Sequence, residues 1–126
     1  MIKTLVINIW GREFSLPVEY DCCKGEKITK KQMAAVQNFV SHADWIEVSK
    51  ENVEAFCREQ VFEDDENQKK DNIFSYIKPD YLFVKREKSN PRVAIMCKYR
   101  YDPEHGLAVV FSPDGYITVG IQDIIL

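Results

Sequence analysis

The last third of the chain alternates apolar and polar positions with the period of two that is typical of β-strands. Three segments, 93–101, 107–111 and 117–121, show this alternation, and their apolar members are Val93, Ile95, Cys97, Tyr99, Tyr101, Leu107, Val109, Phe111, Ile117, Val119 and Ile121. Between the second and third segments, residues 112–115 read Ser-Pro-Asp-Gly, which suits a type I turn with a glycine bulge. The pattern therefore predicts an antiparallel meander.

The turns also predict how these strands pair. The loop at 102–106 places Cys97 opposite Phe111, and the turn at 112–115 places Phe111 opposite Ile117. Because successive side chains point to opposite faces, this register gathers the apolar members on one face of the sheet.

Strands are also predicted in two other regions of the sequence. Residues 81–86 form one strand, which follows the breaker Lys78-Pro79-Asp80. The first twenty residues alternate on both sides of Gly11-Arg12, a two-residue loop with glycine first that suits a type II′ hairpin turn. The register predicted for this hairpin pairs Ile9 with Phe14, Ile7 with Leu16 and Leu5 with Val18.

Two amphipathic helices are predicted between the hairpin and the later strands. The first begins at a capping box formed by Thr29 and Gln32, and its apolar stripe consists of Met33, Val36, Phe39, Val40 and Ala43. The second takes Ser49 or Asn52 as its N-cap, and its stripe consists of Val53, Phe56, Cys57 and Val61. Each stripe is wide enough to cover a sheet face.

These elements predict a single α+β domain over residues 1–126. Its antiparallel sheet consists of the N-terminal hairpin and a C-terminal meander of three or four strands, and the two helices cover one face. A lone hairpin is marginally stable in water, so we expect the hairpin to join the meander in one sheet.

Composition and charge disfavour several classes of function. The formal net charge is −3, and the basic cluster Lys85-Arg86-Glu87-Lys88 is short and interrupted by an acid, whereas nucleic-acid binding requires clustered bases. No apolar run approaches the roughly 20 residues that span a bilayer, and the first residues lack a signal-peptide pattern. We therefore expect a cytoplasmic protein with no nucleic-acid and no membrane partner.

The four cysteines are expected to be free thiols. Cys22, Cys23, Cys57 and Cys97 match neither a secreted disulfide framework nor a C-x-x-C metal pair, and free thiols suit a cytoplasm. A nucleophilic pair of Cys97 with His105 is rejected, because the predicted register separates them by more than about 10 Å along the strand.

The densest polar group consists of Asp102, Glu104 and His105, all within one turn. Two carboxylates and an imidazole can bind a divalent metal or perform acid–base chemistry. A tight loop also needs these residue types, with Asp-Pro at its start and Gly106 at its end. We prefer the structural interpretation and expect no cofactor, and an enzyme built on these three residues remains the alternative.

A run of four acids, Glu63, Asp64, Asp65 and Glu66, is in most proteins a solvated surface. Its functional interpretation is a patch that docks a basic protein and accelerates association. Three aromatic residues near turns and helix ends are further candidates for interface anchors: Trp10, Trp45 and Tyr116.

An Asp-x-Glu-His-Gly turn is followed by an aliphatic strand and a closing Val-Gly-x-x-Asp, formed by Asp102, Glu104, His105, Gly106, Val119, Gly120 and Asp123, with Gln122 beside the last. In this motif, over roughly residues 95–126, the chain resembles a family of bacterial proteins of unknown function. Some members of that family are suspected to be immunity proteins, which neutralise a secreted toxin. The resemblance implies a small cytoplasmic binding module without catalytic residues to carry over.

Three functions are thus ranked. The first is a small cytoplasmic protein-interaction module, of the immunity or inhibitor type, that binds a basic partner through residues 63–66. The second is a metal-dependent or acid–base enzyme that uses Asp102, Glu104 and His105. The third is a homo-oligomerising scaffold that pairs through an exposed strand edge, since the sequence leaves open whether the protein is a monomer or a homo-oligomer.

Overall fold

The computed structural model describes residues 2–22, 25–61 and 73–126. In these ranges the elements are β1 (Thr4–Ile9), β2 (Arg12–Tyr20), α1 (Lys30–Ser41), α2 (Asp44–Val61), a 3₁₀ turn (Ile73–Tyr76), β3 (Ile77–Val84), β4 (Val93–Tyr99), β5 (Leu107–Phe111), β6 (Ile117–Gly120) and a closing 3₁₀ turn (Gln122–Ile124). The predicted α+β class is confirmed.

All six strands form one sheet in sequence order, from β1 to β6. Neighbours are antiparallel except β2 and β3, which run parallel with Val18 beside Leu82. Both helices lie in the connection between these two strands, and a long crossover allows a strand to return in the same direction. The hairpin therefore joins the meander as expected, but the sheet is mixed instead of wholly antiparallel.

The hairpin turn lies at Trp10 and Gly11, one residue earlier than predicted. Both residues have a positive φ, 50° and 90°, as a type I′ turn requires. Ile7 consequently lies opposite Phe14, so the predicted register is wrong by two residues. A shift of two leaves each side chain on its predicted face.

The strand β3 contains the segment that was predicted to break it. It begins at Ile77, and Pro79 pairs with Cys97 before the register shifts between Pro79 and Tyr81. Asp80 is therefore the extra residue of a β-bulge. A strand tolerates proline at a bulge, which explains how Pro79 lies within β3.

Two registers were predicted for the last three strands, and one of them is wrong and the other correct. Cys97 lies opposite Leu107 instead of Phe111, because the chain uses residues 100–106 as the connection. Between β5 and β6, Phe111 lies opposite Ile117 as predicted.

The start of α1 is the predicted capping box. Thr29 Oγ1 accepts a hydrogen bond from Gln32 N at 3.0 Å, and Gln32 Oε1 accepts one from Thr29 N at 2.9 Å. Gln32 is fully buried, and its Nε2 donates to the backbone oxygens of Asp21 and Val84. This one side chain thus connects the helix to the ends of β2 and β3.

The start of α2 is earlier than either predicted N-cap. The helix begins at Asp44, so Ser49 and Asn52 lie inside it. The buried Ser49 Oγ donates to the Ile46 carbonyl and accepts from Trp10 Nε1 at 3.0 Å. Ser49 therefore joins α2 to the hairpin turn.

The helices pack one face each on the sheet. The predicted stripe positions that are buried are Val36, Phe39, Val53 and Cys57. Val40 was predicted to belong to this stripe but is 40% exposed, whereas Gln32, which was not, is buried between α1 and the sheet. Neither helix of the described residues has the length and apolar character needed to cross a bilayer.

The central strands are covered on both faces. The main core lies between the helices and one sheet face. A second, smaller cluster lies on the opposite face and consists of Ala94, Met96, Ala108, Val110 and Ile125, with Tyr81 and Phe83 packed against it. The strands β4 and β5 are thus buried on two sides, whereas the outer residues of β1 and β2 on that face are exposed.

Candidate functional site

The turn between β4 and β5 brings Asp102 and His105 together. The Asp102 carboxylate accepts a hydrogen bond from His105 N at 3.2 Å and lies 2.9 Å from Nδ1 of the imidazole. The Asp102 carbonyl accepts a bond from Gly106 N at 2.8 Å. These are the contacts of an Asx-type turn, and the exposed Glu104 takes part in none of them.

Gly106 connects this turn to the C-terminal segment. Its φ is +63°, and a Cβ here would lie 2.7 Å from Gln122 Nε2 and 2.8 Å from the Cys97 carbonyl oxygen. Gln122 Nε2 donates to that carbonyl at 3.1 Å, and Gln122 N donates to the His105 carbonyl at 3.1 Å. The two halves of the C-terminal motif therefore meet, and Gln122 holds them together.

The electrostatics of this turn favour a protonated imidazole. The hydrogen bond from His105 to Asp102 and the charge of Asp102 raise the pKa of His105; desolvation opposes them, and the charges of Glu104 and Asp123 raise the pKa further. Within the described residues, no three His, Cys, Asp or Glu side chains converge as a metal site would require. The pair can exchange a proton with solvent, but each of its bonds also builds the turn.

The thiols of Cys97 and Cys57 are placed where nucleophilic chemistry is disfavoured. Cys97 lies opposite Leu107, so the register from which its separation from His105 was predicted is wrong. Cys97 nevertheless has no exposed surface, and burial raises its pKa well above the ordinary value. Burial also raises the pKa of Cys57. Cys22 is free and half-buried, and Cys23 lies outside the described residues. A buried thiol with a raised pKa is a poor nucleophile.

Two of the three predicted aromatic anchors, Trp10 and Trp45, have mainly structural contacts. His42 Nδ1 lies 2.7 Å from the Asn38 carbonyl oxygen, and its ring stacks on Trp45 with centroids 4.2 Å apart. Trp10 is buried in the core, whereas Tyr116 is 69% exposed. Of the three predicted aromatic anchors, only Tyr116 offers most of its surface to a partner.

The basic cluster near residue 85 is largely neutralised. Its ion pairs join Lys85 to Asp21 at 3.6 Å, Arg86 to Glu26 at 3.2 Å and Arg92 to Glu87 at 3.0 Å. These pairs support the interpretation of this cluster as a solvated surface.

The predicted interaction residues Glu63, Asp64, Asp65 and Glu66 lie outside the described residues. The helix α2, which precedes them, has two basic residues, and both are paired: Lys50 Nζ lies 3.4 Å from Glu47, and Arg58 Nη2 lies 3.0 Å from Glu54. Three further acids of this helix, Asp44, Glu51 and Glu59, form no ion pair with any described residue.

The outward side of α2 is therefore an acidic surface with a partly apolar centre. We define the acidic face of α2 as its exposed residues Asp44, Glu47, Val48, Glu51, Asn52, Ala55, Arg58 and Glu59, of which only Arg58 is basic. Val48 is 58% exposed at the centre of this face. This face was not predicted from the sequence, although acids recurring three and four residues apart from Asp44 onward were a usable signal.

The acidic charge is concentrated in one part of the chain. Residues 44–66 contain nine acids and two bases, a net charge of −7, whereas the remaining residues contain eleven acids and fifteen bases, a net charge of +4. The modest total of −3 thus conceals two parts of opposite charge.

Comparisons with known proteins were made over the whole chain. No curated protein and no solved structure matches it significantly. A sequence family described as "Domain of unknown function (DUF6985)" matches residues 2–126. The chain therefore belongs to the DUF6985 family of domains of unknown function.

Proposed function

We propose that this domain is a small protein-interaction module of the inhibitor or immunity type, which binds a basic protein through the acidic face of α2 and the acidic run at 63–66. The observation that carries the proposal is the separation of charge, −7 over residues 44–66 against +4 over the rest. A concentration of acidic charge creates a field that steers an oppositely charged partner toward it, here toward the acidic face of α2.

The acidic face of α2 also has the composition of a docking surface. Asp44, Glu51 and Glu59 have no neutralising base among the described residues, so their charges are available to a partner. Val48 offers apolar area at the centre of the face. An apolar centre within a charged rim is the usual arrangement of a protein interface, in which the charges provide specificity and association rate.

The cellular setting is part of the same proposal. The free thiols of Cys22, Cys57 and Cys97 suit a reducing cytoplasm, where an immunity protein would meet its toxin. A bacterial source and a toxin as partner are inferred from the resemblance of the C-terminal motif.

Affinity capture of the tagged protein from a lysate of its own host tests the proposal first, with bound proteins and metals identified together. A stoichiometric basic protein is the expected result, and it leads directly to an assay of inhibition. The capture of a stoichiometric divalent metal without any bound protein would contradict the proposal.

The docking surface is then tested by stopped-flow association with the captured partner. We expect the double variant Glu51→Lys/Glu59→Lys to slow association by about tenfold or more at low salt and to flatten its salt dependence. Charge reversal across residues 63–66 is expected to act in the same way. The matched control is Glu13→Lys/Glu19→Lys, which changes the charge equally at two exposed positions of β2. Equal effects of the two double variants would refute the assignment of the partner to α2.

The second candidate function is an acid–base or metal-dependent enzyme at Asp102, Glu104 and His105. It is favoured by the 2.9 Å contact between His105 Nδ1 and Asp102 Oδ1, because this contact orients the imidazole as a catalytic base requires. His105→Ala distinguishes the two. Loss of a measurable activity with an unchanged melting temperature supports the enzyme, whereas a lowered melting temperature alone supports the turn.

A further inference from the structure

Within the ranges that the structure describes, the strand β1 forms one edge of the sheet, and no strand pairs with its outer side. It pairs only with β2 in the strand order, and its alternate residues Thr4, Val6 and Asn8 are exposed. Val6 is 61% exposed, among the largest values of any apolar residue in the described part of the chain.

The hydrogen-bonding pattern of the hairpin shows which peptide groups are free. Val18 N donates to the Lys3 carbonyl at 2.8 Å, so residue 3 points its peptide groups toward β2. Alternation along an antiparallel strand places those of residues 5, 7 and 9 on the same side. The N–H and C=O groups of Thr4, Val6 and Asn8 therefore point outward from the sheet.

This edge lacks the features that usually prevent pairing. Natural edge strands are shortened, bulged or supplied with charge or proline. The opposite edge strand, β6, has four residues and ends where the chain turns into the segment Gln122–Ile124. By contrast, β1 has six residues, and its sequence TLVINI contains no charge, no proline and no glycine; no bulge interrupts its pairing with β2.

We propose that β1 pairs antiparallel with β1 of a second copy of this chain, about a two-fold axis at Val6, so that one sheet runs through both copies. In this register Val6 lies opposite Val6 of the other copy, and Thr4 lies opposite Asn8. Each outward peptide group then finds a partner, as in an isologous interface. This inference is independent of the proposed basic partner.

A second copy fits this edge because the side chains are self-complementary. On the face toward the helices, Leu5 meets Ile7 of the other copy, and both residues are only half-buried within one copy. Since Leu5 adjoins Leu16 and Ile7 adjoins Phe14, the pairing completes two rows of four apolar side chains across the junction. On the opposite face, Val6 and its copy are flanked by Ser15 residues, so no like charges oppose each other.

Sedimentation velocity from about 1 μM to about 1 mM, a range that covers weak to moderate affinities, tests the pairing. The wild-type protein is expected to shift from monomer to dimer as its concentration rises. Val6→Lys places two like charges opposite each other and is expected to weaken association by about tenfold or more. Val40→Lys, at an exposed position of α1, is the matched control and should dimerise like the wild type. A wild-type monomer throughout, or equal behaviour of the two variants with folds verified by circular dichroism, overturns the proposal.

Cysteine cross-linking tests the register itself. Val6→Cys should be linked into a dimer by a short bifunctional thiol reagent, because directly opposed residues bring their Cβ atoms within about 5.5 Å, slightly more than the roughly 3.5–4.5 Å of a direct disulfide. Thr4→Cys should not cross-link to itself but should do so when mixed with Asn8→Cys. The wild-type protein, with its native thiols, is the control for background. A dimer in which Val6→Cys stays uncross-linked means that another surface associates, and this result overturns the proposal.

Discussion

The β1–β2 hairpin and the β4–β5 pair belong to one sheet but are built from different patterns. Apart from the exposed Arg12 at the start of β2, the strands β1 and β2 alternate, with exposed residues on the face away from the helices. The strand β5, LAVVF, is buried at all five positions, and in β4 only Lys98 is exposed. A central strand covered on both faces reads as a continuous apolar run, whereas a strand covered on one face alternates.

This difference separates the part of the molecule that stabilises the fold from the parts that are free to bind. The strands β4 and β5 contribute to both hydrophobic clusters, so a change in either strand disturbs two packed layers. The hairpin edge and the acidic face of α2 each have one side in the core and one side in solvent. The two proposed binding surfaces therefore lie where substitutions cost the least stability.

The largest expected difference between the two regions is in the cost of removing an isoleucine side chain. Ile95 in β4 has no exposed surface, so Ile95→Ala should lower the free energy of unfolding by about 4 kcal/mol. Ile7→Ala in the half-buried row of β1 should cost about 1–2 kcal/mol. Urea denaturation of both variants measures the difference, and equal losses would contradict the division of the sheet.

Two glycines with positive φ provide the next comparison. Gly106→Ala would place a Cβ 2.8 Å from the Cys97 backbone oxygen, so we expect a loss of about 3 kcal/mol from steric and backbone strain together. Gly11→Ala in the hairpin meets no atom within 4 Å, so only backbone strain of about 1 kcal/mol remains. Thermal unfolding should show the larger decrease in melting temperature for Gly106→Ala. A larger decrease for Gly11→Ala would mean that the C-terminal segment with Gln122 moves aside at little cost in free energy.

The same substitution on the same face of the sheet isolates the effect of burial. Val110→Ala removes two methyl groups from the second cluster and should cost about 2 kcal/mol. Val6→Ala at the exposed edge should change stability by less than about 0.5 kcal/mol, measured at low protein concentration to exclude dimer. A loss at Val6 as large as that at Val110 would show that the edge is covered in solution.

The smallest effect is a dependence on pH at the β4–β5 turn, whereas β1 and β2 contain no histidine. The contact with Asp102 raises the pKa of His105 in the folded state. The stabilisation is therefore fully present below the unfolded-state pKa near 6.5 and is lost as pH rises through the folded-state value. NMR titration should show the raised pKa, and Asp102→Asn should lower it toward the ordinary value. An unshifted pKa in the wild type would contradict the contact.

The elements were more predictable than their pairing. The capping box of Thr29 and Gln32 was predicted because a capping box is local, and so was the β5–β6 turn at 112–115. The hairpin register was wrong by two residues and the β4–β5 register by four. Both are even shifts, which leave the same side chains on the same faces, so hydrophobic alternation cannot distinguish them.

The candidate sites follow the same rule. Asp102, His105 and Gly106 lie within one turn, so the sequence predicted the turn, although it did not predict the contact between the His105 imidazole and the Asp102 carboxylate. The role of Gln122 was not predicted, because it depends on a segment that returns to the Cys97 carbonyl from the other end of the meander. The acidic face of α2 was missed because the predicted start of that helix excluded Asp44 and Glu47.

By itself, the sequence determined the class of the fold, the faces of its strands and helices and the capping of α1, because each depends on neighbouring residues and their periodicity. Only the tertiary structure decided that β2 and β3 run parallel, that Trp10 is buried against Ser49 and that β1 is left as a free edge. Those features arise from contacts between distant segments, where packing and hydrogen bonding select one arrangement among several that the local pattern allows equally well.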